Sequence, residues 1–461
     1  MKYILFSDIF NYKVNNFPEL FTFFDTYKVN FKFDNSSADD LKIHWGNIDH
    51  PTYNFIYEKY SYCNLYNYKA FNLKDIIQNE LLFTISNQED FRLHFTNTID
   101  IWEFIESNYP NILKKYLQIG RFWIDYWLEK INANQILAGI TFGGSTIFSA
   151  SFTHVLRYLG IPCYILEHFF TGKDFYFELR YKSLPNSAYF ISNSYSLEHW
   201  MEKINRKSNK NVQEKPYQSF YHKDYILIIG QVYNDFSIIS EKNKYKNSIL
   251  FYKELINTLL NESNELIVFK AHPYEYKKIK NNIKSTLEEL EYFKLTLPPD
   301  KQKRIVIICD YNMQALFNNC KFSITLTSQA GLESIYQGKP LVTFNGAFYS
   351  KKGFTYDFDE IGELINFIKT NNIIITTNQL VSYNEYMKKV FNSLVGKNEF
   401  HKIEYILRNI LLDVKKSEEI KSNNTREEIK NNNTREEIKK YNKSQYIRLF
   451  NKLKKILNNF F

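Results

Sequence analysis

The most restrictive feature of this sequence is a regular alternation of short apolar runs and helix-like stretches between residues 222 and 385. The apolar runs are predicted to be buried strands, and the segments between them, with three- and four-residue hydrophobic spacing, are predicted to be helices. Strands are predicted at 225–229, 266–269, 305–309, 322–326 and 341–344, and helices at 247–260, 313–319 and 330–336. Repeated strand–helix–strand units with short connections predict a parallel sheet with helices on both faces.

A second unit of the same kind is predicted in the first half of the chain. Residues 3–6 are strand-like, and an apolar run at 135–142 is followed by Gly143-Gly144-Ser145. A helix-like stretch then reaches residue 159, and another apolar run follows at 163–166. Strand, helix and strand within about 30 residues form a βαβ unit. Together the two halves predict an α/β protein with two Rossmann-like domains facing across a cleft, whose ligands bind outside the carboxyl ends of the strands.

Length and composition agree with this organisation. A chain of 461 residues is too long for one ordinary core, and two or three domains are expected. Hydrophobic residues (44%) and charged residues (24%) are in a globular balance, which excludes global disorder. We expect domains at 1–215 and 216–385, joined by a polar linker at 203–215, with helices closing the fold at 386–416.

The last part of the chain has a different character. A Glu-Glu-Ile-Lys motif recurs every nine residues within 417–443, and one Ile per repeat cannot build a core stripe. We therefore expect a polar spacer there. Residues 444–461 carry apolar side chains at helical spacing with Lys and Arg between them. This predicts a C-terminal basic amphipathic helix, which favours a membrane surface over docking on the protein's own core.

Several classes of protein and site are not predicted. No apolar run approaches the roughly 20 residues of a membrane helix, and Asp8 interrupts the apolar start too early for a secretory signal. We therefore expect a cytoplasmic protein. The four Cys have no CxxC spacing, and the nine His form neither HxxxH nor HExxH, so neither a disulfide framework nor a metal site is predicted. The net charge of +9 suits an anionic ligand, an anionic membrane or nucleic acid, but nucleic-acid-binding motifs are absent and nucleic acid is not an expected partner.

Polar clusters follow the predicted strands of the second domain. Lys270, His272 and Pro273 come after the strand at 266–269, where two cations can bind phosphate oxygens or belong to an ordinary loop. The run from Thr327 and Ser328 to Gly331 and Glu333 leads from a strand into a helix. Backbone N–H groups there can bind an anion, although simple N-capping is the alternative. Glu333 can accept hydrogen bonds from ribose hydroxyls or be a solvated first-turn acid.

Two further clusters bring carboxylates to the predicted cleft. Gln231 and Asp235 follow the strand at 225–229, where Asp235 either points into the cleft or serves the turn. Glu167 and His168 follow the strand at 163–166 of the first domain, where a loop salt bridge is the alternative role.

Taken in order, these motifs resemble the capsule polysaccharide synthesis family, which contains retaining β-Kdo transferases. The resemblance covers about 135–360 and is sharpest over 225–357. The matching motifs are Gly230-Gln231-Val232-x-x-Asp235-x-Ser237, Lys270-x-His272-Pro273, Leu326-Thr327-Ser328-x-x-Gly331-x-Glu333, Gly338-Lys339-Pro340, and Gly346-x-Phe348-Tyr349. The resemblance implies a GT-B fold, a CMP-Kdo donor, no metal and a lipid-linked or glycan acceptor at the inner face of the cytoplasmic membrane.

The resemblance also implies roles for individual residues. Lys270 and His272 would hold the CMP phosphate from one side and Ser328 from the other, while Glu333 would bind the cytidine ribose. The remaining members of the implied nucleotide-sugar site are Gln231, Pro273, Thr327 and Gly331. The domain at 216–385 would bind the donor, and the domain at 1–215 the acceptor.

Retention of configuration requires two inversions, so a carboxylate nucleophile is expected. We hypothesise that Asp235 attacks the anomeric carbon and that Glu167 is the base for the acceptor hydroxyl. The family usually has an acidic residue or Gln, then Gly and Arg after this Glu, whereas His168 and Phe169 follow Glu167 here. Another CMP-activated sugar, a CDP-glycerol or CDP-ribitol phosphotransferase, and a non-catalytic capsule assembly protein therefore stay open as alternatives.

Overall fold

The computed structural model describes residues 3–8, 16–34, 39–61, 66–169, 174–180, 224–240, 243–275, 283–344 and 346–407. The chain divides into two compact units, Met1–Ile403 and Glu404–Phe461, and both large sheets lie in the first. The predicted linker at 203–215, the polar spacer at 417–443 and the amphipathic helix at 444–461 lie outside the described residues. The predicted domain boundaries stay predictions.

Strands and helices alternate along most of the first unit. The strands are β1 (Tyr3–Phe6), β2 (Phe31–Phe33), β3 (Asn67–Tyr68), β4 (Phe71–Asn72), β5 (Ile136–Phe142), β6 (Cys163–His168), β7 (Phe175–Leu179), β8 (Tyr225–Ile229), β9 (Leu266–Lys270), β10 (Ile305–Ile308), β11 (Cys320–Thr325), β12 (Leu341–Thr343), β13 (Tyr356–Asp357) and β14 (Leu394–Val395). The α-helices are α1 (Pro18–Tyr27), α2 (Asp39–Ile43), α3 (Asn54–Lys59), α4 (Leu73–Ile85), α5 (Glu89–His94), α6 (Ile101–Asn108), α7 (Pro110–Asn132), α8 (Ile147–Tyr158), α9 (Phe236–Ile239), α10 (Ser248–Glu262), α11 (Thr286–Thr296), α12 (Pro299–Gln302), α13 (Met313–Asn319), α14 (Ala330–Tyr336), α15 (Ile361–Thr370) and α16 (Thr377–Ser393).

The second sheet has the doubly wound topology that its sequence predicts. Its strand order is β10-β9-β8-β11-β12-β13, and all neighbouring strands are parallel. In chain order this sheet reads 3-2-1-4-5-6, so the winding direction reverses between β8 and β11. A crevice opens at the carboxyl ends of the strands at such a reversal, and ligands bind there in doubly wound folds.

The first sheet has the order β14-β7-β6-β5-β1-β2. Four neighbouring strands of this sheet, β2, β1, β5 and β6, are parallel. Strand β7 is antiparallel to β6, and β14 is antiparallel to β7. Because β14 follows the second sheet in the chain, the polypeptide returns to complete the edge of the first sheet. Two Rossmann-like α/β sheets in one compact unit confirm the predicted fold class and agree with the GT-B arrangement.

Aromatic rings fill much of the first core. Phe6 lies within 6.3 Å, between ring centroids, of Phe21, Phe24 and Phe31, and within 4.9 Å of Phe33. Edge-to-face and offset ring pairs stabilise a core by about 0.5–1.5 kcal/mol beyond the area they bury. These rings anchor β1 and β2 against α1, which fixes the carboxyl edge of the first sheet.

A separate hydrophobic cluster joins the two sheets. Phe169 and Tyr176, from the β6–β7 hairpin, pack in one cluster with Leu332 of α14 and with Tyr383 and Phe391 of α16. The phenol of Tyr383 donates to the backbone oxygen of Leu332 at 2.9 Å. This packing sets the ends of β6 and β7 beside the loops of the second sheet.

None of the described helices is both long enough and apolar enough to cross a bilayer.

Candidate active site at the junction of the two sheets

The loops that follow β8 and β11 meet at the reversal point of the second sheet. Gln231 Oε1 accepts hydrogen bonds from the backbone N–H (2.9 Å) and the hydroxyl (3.0 Å) of Thr327. Its Nε2 donates to Ser237 Oγ at 3.2 Å, and the hydroxyls of Ser237 and Thr327 lie 2.8 Å apart. Gln231 and Thr327 are both buried. These two predicted binding residues therefore use their side chains to fasten the two loops to each other.

Asp235 stands at the start of the short helix α9. Its Oδ1 accepts hydrogen bonds from the backbone N–H of Ser237 (2.9 Å) and from the hydroxyl of Ser237 (2.8 Å), so Asp235 caps the helix. Within the described part of the chain, Oδ2 of Asp235 accepts no hydrogen bond. The side chain is half-buried. The carboxylate therefore has a fixed orientation and one uncommitted oxygen, as a nucleophile needs.

Glu167 lies near the carboxyl end of β6, beside the turn that follows β5. Gly143 and Gly144 occupy this turn with φ of +63° and +71°, a region that favours glycine. A Cβ on Gly143 would lie 3.2 Å from Glu167 Oε2, so the turn leaves room for the carboxylate. Among the described residues, no hydrogen bond reaches the Glu167 side chain.

The electrostatics of Glu167 link the two sheets. Burial, together with a smaller contribution from the negative charge of Asp235, raises the pKa of Glu167 to about 8, although Arg180 acts in the opposite direction. Like charges disfavour ionisation only when they are close, so the carboxyl group of Asp235 lies near enough to that of Glu167 to act on its protonation. The structure thus brings together the two residues for which the sequence predicts catalytic roles.

Three polar residues near Glu167 were not predicted from the sequence: Tyr176 and Glu178 lie in β7, and Arg180 follows it. The antiparallel register pairs Glu167 with Tyr176 and Ile165 with Glu178, so all four side chains share one face of the sheet. Arg180 Nη1 lies 3.1 Å from Glu178 Oε2, and burial raises the pKa of Glu178 to about 7. The sequence signal is the alternation of Tyr176, Glu178 and Arg180 with apolar residues, which is typical of a strand with one polar face.

The predicted phosphate-binding residues at the end of β9 differ in their exposure. Lys270 is buried, its Nζ donates to the backbone oxygen of Ala271 at 2.9 Å, and burial lowers its pKa. His272 is half-buried, and its Nδ1 accepts from the backbone N–H of Tyr274 at 3.2 Å, which makes Nε2 the protonated nitrogen of a neutral ring. Pro273 is exposed at the tip of the loop. His272 is therefore the residue of this group best placed to meet a ligand.

The predicted residues after β11 divide into contact and packing positions. Ser328 is half-buried, and its Oγ accepts from the backbone N–H of Ala330 at 3.2 Å. Gly331 is a packing position, because a Cβ there would collide with the hydroxyl of Tyr349. Tyr349 in turn donates to the backbone oxygen of Ser328. Glu333 is half-buried in the first turn of α14.

The loop at 346–349, which follows β12, packs against the segment that contains Thr327 and Ser328. Tyr349 is fully buried, and a Cβ on Gly346 would lie 2.9 Å from Asn243 Oδ1 and 3.1 Å from Thr327 Cγ2. The loop therefore holds the Thr327–Ser328 backbone in place. The ligand roles of the predicted site residues stay predictions. Across the described residues, no group of three or more His, Cys, Asp and Glu side chains is arranged to hold a metal ion.

Comparisons with known proteins agree with the motifs. Residues 180–372 match the family model described as capsule polysaccharide biosynthesis protein. Over 162 residues the chain is 24% identical to the capsule polysaccharide export protein KpsS of Escherichia coli. That alignment covers 34% of this chain and 39% of KpsS, so the chain matches less than half the length of this relative.

Two solved structures show partial likeness. The β-Kdo 2,4 transferase KpsC of Thermosulfurimonas dismutans is 15% identical with a TM-score of 0.37, over 56% of this chain and 85% of that one. An α,α-trehalose-phosphate synthase from Burkholderia xenovorans is 9% identical with a TM-score of 0.38, over 71% of this chain and 86% of that one. The family model supports the resemblance seen in the motifs: the segment 180–372, which includes the second sheet and its loops, is similar to the capsule polysaccharide biosynthesis protein family.

Proposed function

We propose that this protein is a glycosyltransferase of capsule or surface polysaccharide biosynthesis. It transfers Kdo or a related sugar from a CMP-sugar to a lipid-linked or glycan acceptor, with retention of configuration. The observation that carries the proposal is the pair of electrostatically coupled carboxyl groups, Glu167 and Asp235, which the two sheets supply where the second sheet reverses its winding direction. The family match to capsule polysaccharide biosynthesis supports it.

The donor would lie along the carboxyl edge of the second sheet. The Nε2–H of His272 and the hydroxyl of Ser328 would hold the cytidylate phosphate, with the buried charge of Lys270 behind them. Glu333 would accept hydrogen bonds from the ribose. Cytidylate is a good leaving group once its charge is stabilised, so its departure needs preorganised donors more than a strong acid.

The two carboxylates would divide the two inversions between them. Asp235 Oδ2 attacks the anomeric carbon, the bond to the phosphate oxygen breaks, and cytidylate leaves with the electron pair. Glu167 then takes the proton of the acceptor hydroxyl, whose oxygen attacks the same carbon and releases Asp235. Each step inverts the centre, so the product keeps the configuration of the donor. The raised pKa of Glu167 suits a group that must accept a proton near neutral pH.

The nucleophile is tested by Asp235→Ala. We expect transfer to be abolished while CMP binding, measured by calorimetry, stays within about twofold, because the phosphate contacts lie on other loops. Incubation of the unchanged protein with donor alone should give a glycosyl adduct on Asp235 in peptide mass spectrometry. Unchanged turnover of the Asp235→Ala variant would remove Asp235 from the mechanism.

The donor is tested by a panel of activated compounds. Release of CMP from CMP-Kdo in the presence of a glycan acceptor supports the proposal, and release from a different CMP-sugar corrects only the sugar. Turnover of CDP-glycerol or CDP-ribitol alone would make the protein a polyol phosphotransferase. Failure to bind or cleave every cytidine nucleotide would instead favour a non-catalytic assembly role.

We also propose that the protein works at the inner face of the cytoplasmic membrane. The support is the basic amphipathic pattern of residues 444–461. The full chain should sediment with vesicles containing anionic lipid, and a chain ending at residue 443 should stay in the supernatant. Equal sedimentation of both forms would place the membrane contact elsewhere.

A further inference from the structure

We propose that Asn87, in the turn after α4, is a positioning residue that aims the carboxylate of Asp235 from the opposite side of the junction. The inference rests on the proposed role of Asp235 as nucleophile. It adds a residue of the first half of the chain to the machinery of the second, and it explains how the reacting carboxylate is held in register with Glu167.

The side chain of Asn87 contacts the two residues that precede Asp235. Its Oδ1 accepts hydrogen bonds from the phenol of Tyr233 at 2.5 Å and from Nδ2 of Asn234 at 3.2 Å. The Nδ2 of Asn87 donates to the backbone oxygen of Phe83 at 2.8 Å, which fixes the orientation of the amide. One acceptor atom thus holds both of the residues that precede the nucleophile.

Tyr233 is held by two further contacts. The guanidinium of Arg92 lies 4.0 Å from the centroid of the Tyr233 ring, and Arg92 itself donates to the backbone oxygen of Lys284 at 2.7 Å. Glu275 Oε1 accepts from the backbone N–H of Tyr233 at 3.2 Å. Tyr233 is 3% exposed, as is Asn234, whereas Asp235 is half-buried. Two immobilised residues therefore lead directly to the one that reacts.

The covalent geometry of the chain turns this clamp into a constraint on Asp235. Consecutive Cα atoms are about 3.8 Å apart, so a shift of Tyr233 and Asn234 is passed on to Asp235. On the other side, Ser237 holds Oδ1 through the helix cap. Loss of the Asn87 contacts would free one of the two sides. A misplacement of about 1 Å can cost about 100-fold in rate.

Three substitutions separate positioning from packing. Asn87→Leu removes the acceptor and leaves the Tyr233 phenol and the Asn234 amide without their partner. Asn87→Asp keeps an oxygen that can accept from both donors, and Tyr233→Phe removes one of the two hydrogen bonds. Asn72→Leu is the matched control, because Asn72 caps the start of the same helix by accepting from the backbone N–H of Lys74.

The readout is kcat for sugar transfer, compared with the Kd for CMP. We expect Asn87→Leu to lower kcat by about 100-fold with CMP affinity within about twofold, and Asn87→Asp to recover most of the loss. The kcat of Tyr233→Phe should fall between those of the two Asn87 variants. The double variant Tyr233→Phe with Asn87→Leu should have a kcat no lower than Asn87→Leu alone, because both substitutions remove the same hydrogen bond between Tyr233 and Asn87. Asn72→Leu should lower the melting temperature and leave kcat near its original value.

Two results would overturn the proposal: a kcat for Asn87→Leu no lower than that of Asn72→Leu, or a parallel loss of CMP affinity. If Asn87→Leu fails to fold, equal kcat values for Tyr233→Phe and the unchanged protein overturn it instead. The Asp235→Ala variant keeps the two hypotheses apart. If that variant is inactive while Asn87→Leu is fully active, only the positioning role fails. If Asp235→Ala is active, the proposed function fails first.

Discussion

The carboxyl edges of the two sheets use polar groups in opposite ways. At the edge of the second sheet, Gln231, Ser237 and Thr327 satisfy one another in a closed network of hydrogen bonds. On the face of the first sheet that carries Glu167, Oε1 of Glu178 is buried without a hydrogen-bond partner among the described residues, as is the phenol of Tyr176. The polar groups of the second sheet therefore fix the conformation of its loops, whereas those of the first sheet keep unused hydrogen-bonding capacity.

This difference has an electrostatic consequence. Burial raises the pKa of Glu167 to about 8 and that of Glu178 to about 7, so protons bind and leave these groups in the neutral range. The second sheet instead presents Ser328 on a loop that is hydrogen-bonded to the loop after β8, and it presents His272 and the buried Lys270 at the end of β9. A rigid anion site on one side and a proton-accepting site on the other are the two components that our proposed transfer reaction needs.

The substitution Glu167→Gln should have the largest effect of those that test this contrast between the two sheets. The substitution keeps the size of the side chain and removes its ability to accept a proton, so the second step of the reaction should be slowed. We expect transfer to fall by about 100- to 10,000-fold, with the first step preserved. Mass spectrometry should then show more of the glycosyl adduct on Asp235 than in the unchanged protein. Normal transfer by the Glu167→Gln variant would show that the first sheet does not supply the proton acceptor.

A smaller effect, on stability and on CMP binding, is expected from a substitution of Gly331, which lies in α14 beside the second sheet. A Cβ at this position would collide with Tyr349, whose hydroxyl holds the backbone oxygen of Ser328. Gly331→Ala should therefore lower the free energy of unfolding by about 1–3 kcal/mol and weaken CMP binding, because the Ser328 loop must shift. Thermal unfolding and calorimetry measure the two effects.

Gly362 supplies the matched control for that substitution. It lies in α15, and a Cβ there meets nothing within 4 Å. Gly362→Ala should be neutral or stabilise the protein by about 0.5–1 kcal/mol, because alanine loses less conformational freedom in a helix. Equal effects of the two substitutions would show that the Ser328 loop is not rigid in the sense argued above.

The fold was largely predictable because buried parallel strands form continuous apolar runs. The strands at 225–229 and 3–6 agree with β8 and β1, and the other strands and helices predicted between residues 135 and 344 agree within two residues at the ends that were predicted. The strands β2, β3, β4, β7, β13 and β14 were not predicted, and neither were the helices α1 to α7 that lie between β1 and β5. β2 and β14 are two or three residues long, and β7 joins the sheet edge by antiparallel pairing. Such short edge strands depend on their neighbours for stability more than on their own composition.

The site was predictable in position but not in its partnerships. Strand ends indicated Asp235, His272 and Ser328, because ligands bind at that edge of the sheet. The contact between Gln231 and Thr327 joins residues 96 positions apart, and that between Asn87 and Tyr233 joins residues 146 positions apart. Nothing in the local sequence of Asn87 distinguishes it from an ordinary turn residue. The first contact arises from the pairing of β8 with β11, and the second from the packing of α4 against α9.

The smallest expected effects are shifts in the pH dependence of kcat/KM when Glu178 or Arg180 is replaced. As a base, Glu167 must be deprotonated, so kcat/KM should rise with pH up to about 8. Arg180 holds the pKa of Glu167 down, and Arg180→Met should therefore move this rise to higher pH. Glu178→Gln removes the ion-pair partner of Arg180, which leaves more of its positive charge to act on Glu167, and should move the rise to lower pH.

The opposite directions of these two shifts are what a general loss of stability cannot produce. The expected displacement is about half a pH unit to one unit in each direction, which is a change of a few-fold in kcat/KM at pH 7. Parallel pH–rate profiles of the unchanged protein and both variants measure it. In the Glu167→Gln variant, neither second substitution should move the profile, because the titrating group is gone. Shifts of the same sign, or shifts that persist without Glu167, would assign the neutral-range titration to another group and remove the contrast between the two edges.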